Sequence, residues 1–100
     1  MVHLISRKAL ADFCKVHSDA EAPMRNWFKA IERGTFASLV ELKGTFASVD
    51  YLPVGQHGLY VFNVGGNKYR IIASIHFNRQ RLYVRNVLTH AEYSKGEWRK

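Results

Sequence analysis

One hundred residues, 47% of them hydrophobic, suffice for one folded domain over residues 1–100 and argue against a disordered chain. A single cysteine, Cys14, excludes an internal disulfide framework, and the lack of any run of about 18 apolar residues excludes a membrane span. Lys and Arg number 15 against 8 acids, a net charge of +7, and eight of those cations with only two acids fall between Lys68 and Lys100. The single cysteine fits a reducing, cytoplasmic setting, and the charge balance fits a polyanionic partner, nucleic acid first; a solvated basic surface is the competing reading. Met1–Ser6 lacks the long apolar segment of a signal peptide.

Val2 to Ile5 is short and apolar and is expected to form a first strand. Ser6 is placed to cap the helix that follows, and Leu10, Phe13, Cys14 and His17 recur at helical spacing on one face. Cys14 reads there as a small core residue rather than a nucleophile. Arg7 and Lys8 oppose the dipole of this helix, which must therefore lean on packing. The helix breaks at His17–Asp19. Asp19 is expected to cap a second helix, with Pro23 in its first turn and Gly34 at its end. Ala20, Met24, Trp27, Phe28 and Ile31 form its apolar stripe. Ser38 to Lys43 reads as one more helical turn, and Thr45 to Gly58, with Pro53 and Gly55, as loop. Three strands follow, near Leu59–Val64, Tyr69–Phe77 and Leu82–Leu88, with turns at Gly66-Asn67 and Asn78–Arg81. Thr89 and Glu92 have the spacing of a capping box, so a short C-terminal helix starts there and Glu92 has a structural task. Trp98 reads as a packing residue or a partner contact.

Period-two alternation suggests a register. Phe77 is expected to face Leu82, Ile75 to face Val84 and Ile71 to face Leu88 on the side covered by helices. A turn at Gly66-Asn67 pairs Phe62 with Ile71 and Asn63 with Arg70. The opposite side then collects Asn63, Arg70, Ser74, His76, Tyr83 and Arg85, with Ile72 and Val87 interrupting it. The expected architecture is a compact α+β domain: a small, mostly antiparallel sheet, two N-terminal helices on one face and a short C-terminal helix.

Val61-Phe62-Asn63-Val64-Gly65-Gly66-Asn67-Lys68-Tyr69-Arg70, followed by Tyr83-Val84-Arg85-Asn86-Val87-Leu88-Thr89-His90-Ala91-Glu92-Tyr93, resembles the HigB toxins of bacterial toxin–antitoxin pairs, within the wider RelE-like superfamily. The similarity extends to Leu42-Lys43-Gly44-Thr45-Phe46 and the N-terminal helices. It implies a RelE-like fold and a cytoplasmic, metal-free endoribonuclease that cuts messenger RNA on the ribosome. It also implies a HigA-like antitoxin partner with a helix-turn-helix domain. By the same resemblance Arg70 contacts the scissile phosphate, and His90 and Tyr93 complete the catalytic set. Lys43 matches the family's linker lysine; it is the only lysine between Arg33 and Lys68, where many relatives carry more.

Metal-free RNA cleavage needs a base for the ribose 2′-OH, fixed positive charge at the phosphate and an acid for the leaving oxygen. A guanidinium stays charged and forks onto two phosphate oxygens, which suits Arg70; a solvated strand arginine is the alternative. An imidazole does either proton job, which suits His90; an exposed polar residue beside a cap is the alternative. Tyr93 is placed to stack on a base or steady a proton, or to pack at the helix–sheet seam. Lys43, Lys68, His76, Tyr83, Arg85 and Lys95 are the candidate RNA contacts. The five histidines show no metal-ligand spacing and no P-loop is present, so neither metal nor cofactor is expected. A non-catalytic RNA-binding module on the same basic sheet is the second functional reading.

Overall fold

The computed structural model of the chain describes residues 2–5, 7–54, 58–66 and 68–99. The expected cap at Ser6 and the Asn67 half of the first hairpin turn lie outside them. The described elements are β1 (His3–Ile5), α1 (Arg7–Val16), α2 (Glu21–Arg33), α3 (Leu39–Thr45), β2 (Asp50–Leu52), β3 (Leu59–Val64), β4 (Tyr69–His76), β5 (Arg81–Thr89) and α4 (His90–Lys95). The strands form one five-stranded sheet in the order β1-β5-β4-β3-β2. β1 runs parallel to β5 and every other pairing is antiparallel, giving the expected α+β architecture.

The sheet is apolar on both sides. On one, Leu10, Met24, Trp27, Ile31 and Leu42 from the first three helices bury against Phe62, Ile71, Ala73, Leu82 and Val84. The helical spacing of those residues is what brings α1 and α2 down on this face, and each such side chain contributes about 1.5–3 kcal/mol by leaving water. On the other side Leu59, Val61, Ile72 and Trp98 form a smaller cluster, joined by Leu52, Leu88 and Tyr93. Among the described residues no helix is long and apolar enough to cross a membrane.

Three local expectations need correction. Asp19 does not cap α2: the capping position is Ala20, and no side chain bonds the first turn. The Asp19 carboxylate instead accepts the Tyr69 hydroxyl proton at 2.5 Å. The segment assigned to loop contains β2, a three-residue strand on the sheet edge that is too short and exposed to show alternation. In the first hairpin turn Gly66 carries the expected positive φ, 63°, preceded by Gly65 at 67°, and the Lys68 amide donates to the Gly65 carbonyl at 3.3 Å.

The register is the third. Phe62 faces Ile71 and Asn63 faces Arg70, as period two requires. Between β4 and β5, however, Ile75 lies opposite Leu82 and His76 opposite Arg81, because the four-residue connection begins one residue earlier than expected, at Phe77. Phe77–Arg79 forms a 3-10 turn and Gln80 adopts a left-handed φ of 52°. The Gln80 side chain offsets that conformation: Nε2 donates to the Phe36 and Phe77 carbonyls at 2.5 and 2.6 Å, and Oε1 accepts from the Phe36 amide at 3.1 Å.

Farther along, Ala73 faces Val84 but Ile72 faces Asn86, so Arg85 is an extra residue in β5. A bulge of this kind reverses which side each later residue faces. Val87 consequently packs against the helical core and Leu88 joins the opposite cluster, the reverse of the expected assignment.

Candidate active site

Arg70 projects from β4 onto the side of the sheet away from the three N-terminal helices. It is the one charged residue among the buried side chains described, at 8% exposure. A guanidinium so far from water needs fixed acceptors. Its Nη1 donates to the Tyr69 carbonyl at 3.1 Å, and its Nη2 lies 3.1 Å from Nδ1 of His90. Guanidinium has no lone pair to offer, so Nδ1 is the acceptor and the His90 proton resides on Nε2.

Three features hold His90 there. Tyr69 pairs with Thr89, and the His90 amide donates to the Lys68 carbonyl at 2.9 Å, which ties the start of α4 to the start of β4. Both arms of the capping box form: the Glu92 amide donates to Thr89 Oγ1 at 3.2 Å, and the Thr89 amide to Glu92 Oε1 at 2.9 Å. The bulge at Arg85 supplies the third. Without it, the ladder would place Leu88, and hence the position of His90, on the helical side.

One turn along α4, Tyr93 brings its ring centroid to 5.3 Å from the Arg70 guanidinium carbon, a cation–π contact. Trp98 stacks on that ring at 5.2 Å with 12° between the planes. The three residues assigned to catalysis are thus brought together. Lys95, also on α4, is exposed.

The other candidate RNA contacts are dispersed. Lys68 is exposed and pairs with Asp19 at 3.8 Å, beside the junction of α1 and α2. Lys43 is exposed on α3, whose Leu42 is buried in the helical core. His76 and Tyr83 meet edge to face at 5.2 Å. His76 lies six residues along β4 from Arg70, about 20 Å at the usual strand rise. Arg85 is exposed at the bulge. Tyr69 faces the helices, with Phe13 and His17 rings 5.4 and 5.8 Å away. Its hydrogen bond holds the Asp19 carboxyl below the usual carboxylate range and raises its own phenol. Cys14 is half-buried on α1, and burial raises its thiol. Among the described residues no group of three or more His, Cys, Asp or Glu is placed to hold a metal ion. A groove of about 750 Å³ between α1 and α2, around Leu10, Cys14, Met24 and Phe28, belongs to the helical layer and not to this site.

The fold and the pair together define a class: a small α+β domain that sets permanent positive charge beside an imidazole on the side of its sheet away from the N-terminal helices. The chain belongs to the HigB toxin family, described as the RelE-like toxic component of a toxin–antitoxin system, whose profile matches residues 20–96. It is 38% identical over 93 residues to the mRNA interferase toxin HigB of Escherichia coli (strain K12), covering 92% of this chain and 88% of that one. The mRNA interferase HigB of Shigella flexneri matches to the same extent. That of Escherichia coli O6:H1 (strain CFT073) is 28% identical over 94 residues, covering 94% and 90% of the two chains.

Proposed function

We propose that this chain halts growth by cutting messenger RNA at the Arg70–His90 pair, on the ribosome and without a metal. It is an endoribonuclease of the mRNA-interferase type, the activity its relatives' names state for them. Its partners are messenger RNA and a cognate antitoxin, here a HigA-like protein with a helix-turn-helix domain; both act in the cytoplasm. The observation that supports the site is the 3.1 Å contact between Nη2 and Nδ1.

The chemistry follows from those two groups. A phosphodiester draws the Arg70 guanidinium into a two-pronged hydrogen bond, which is stronger than its bond to a neutral ring. Nδ1 of His90 is then released as a base beside the bound phosphate. It takes the 2′-OH proton as that oxygen attacks phosphorus. Arg70 meets the charge that develops on the phosphoryl oxygens. The bond to the 5′ oxygen breaks, and the imidazolium returns its proton there. The products are a 2′,3′-cyclic phosphate and a 5′-hydroxyl. Tyr93 keeps the guanidinium in place and has one ring face taken by Trp98, which leaves it less suited to stacking on a base.

The test is growth and cut-site mapping. In cells expressing the protein, Arg70→Ala and His90→Ala are expected to restore growth while the purified variants retain the wild-type far-UV circular dichroism. Loss of one positioned donor costs about 10²–10³ in rate, and loss of an acid–base group about 10²–10⁴. Cuts on a translated message should vanish with either variant and when ribosomes are omitted. Full toxicity in both variants would remove the site. RNA binding without scission by the wild type would leave a binding module instead.

A further inference from the structure

Trp98 takes no part in the bond-making above, yet it is 9% exposed and packs with Leu59, Val61 and Ile72. Its indole stacks on Tyr93, and its Nε1–H donates to the Tyr93 carbonyl at 3.0 Å. One side chain thus grips both the ring and the backbone of the residue that lies against Arg70. α4 has only six residues, too few to be stiff unaided. The turn that leads to Trp98 is set by Gly96 at a φ of 74°, which folds the chain back so that the indole reaches the ring. Ring, guanidinium and imidazole then form a chain of contacts: Trp98 to Tyr93, Tyr93 to Arg70, Arg70 to His90.

We propose that Trp98 is a positioning residue for cleavage: it anchors Tyr93 against the sheet, and through Tyr93 it fixes where the Arg70 guanidinium meets the scissile phosphate. The proposal rests on the reading of Arg70 and His90 as the cleavage pair. A guanidinium on four rotatable bonds is easily displaced, and a misplacement of about 1 Å costs about 10²-fold in rate. Binding depends far less on that placement, since a displaced cation still attracts the polyanion.

The measurement is single-turnover cleavage of a defined message on programmed ribosomes, giving the maximal rate and the half-saturating protein concentration. Trp98→Leu keeps apolar volume but neither stacks nor donates; Trp98→Phe restores a ring. Trp98→Leu is expected to lower the maximal rate about ten- to a hundredfold with half-saturation changed less than about twofold, and Trp98→Phe to recover most of it. In an Arg70→Lys background, Trp98→Leu should add less than about threefold, because it acts through a guanidinium no longer present. A full, independent loss in that background overturns the proposal, as does a wild-type rate for Trp98→Leu while Arg70→Lys is impaired. If Trp98→Leu unfolds where Trp98→Phe stays folded, Trp98 is a core residue and the proposal is equally overturned. A wild-type rate for Arg70→Lys and His90→Ala would instead remove the cleavage pair itself.

Discussion

The contact between Tyr69 and Asp19 shows how neighbouring residues divide labour. Strand alternation sends Arg70 to the open face and Tyr69 to the helices, where its hydroxyl bonds a carboxylate 50 positions earlier. Asp19 is lowered, so it stabilises the fold above the ordinary carboxylate range, and this is lost as pH falls below about 4 through its lowered value. Tyr69 is raised, so its contribution holds below about pH 10 and fades as pH climbs toward its raised value. Tyr69→Phe is therefore expected to lower the melting temperature most near neutrality and least at both extremes. Thermal unfolding from about pH 2 to pH 11 checks this; a uniform offset between variant and wild type would refute the linkage. The Asp19 carboxylate is exposed to water, so the effect is small.

Among the elements, α4 places two residues of the proposed site, His90 and Tyr93, within six positions. Its start is secured by the Thr89–Glu92 box, which is legible from spacing alone. Thr89→Ala removes one arm, at a cost of about 1 kcal/mol. Because the frayed turn is the one bearing His90, cleavage should fall several-fold while the melting temperature drops by only a few degrees. Rate and unfolding measured on the same preparation separate the two effects. The other helices are legible from their apolar stripes, and the β3–β4 register from the Gly66-Asn67 turn and period two. Trp98 is visible as an aromatic, but its link to Tyr93 crosses a turn that local pattern does not describe. The bulge does leave a trace. Arg85-Asn86 places two polar residues in succession inside an otherwise alternating strand, the pattern expected where one residue is surplus. Asp19 departs from its expected role because capping propensity is local, whereas its actual partner is brought by the sheet.

For the whole molecule, the decisive property is where acids are missing. No Asp or Glu occurs from Tyr51 through Ala91, the stretch that supplies β3, β4 and β5. Lys68, Arg70, Arg79, Arg81 and Arg85 all fall within it. Association with RNA should accordingly be governed by counterion release. With about four phosphates neutralised, the logarithm of the association constant should fall against the logarithm of salt with a slope of about −3. Replacing Arg81 and Arg85 by Gln should flatten that slope by about 0.7 for each phosphate no longer neutralised. Filter binding of a short single-stranded RNA at several salt concentrations gives both values; an unchanged slope would place the RNA elsewhere on the surface.

The surplus residue in β5 makes the enzyme's chemistry a matter of odd and even. Were Arg85 taken into a regular ladder instead of standing surplus, Leu88 and the imidazole two places on would turn under the helices, and Val87 would come out on the side of the guanidinium. Every later side chain would trade inside for outside. Excision of Arg85 alone would leave each later residue on its present side, whereas drawing it into the ladder would not, because a pleat has just two sides and the reaction occupies one of them.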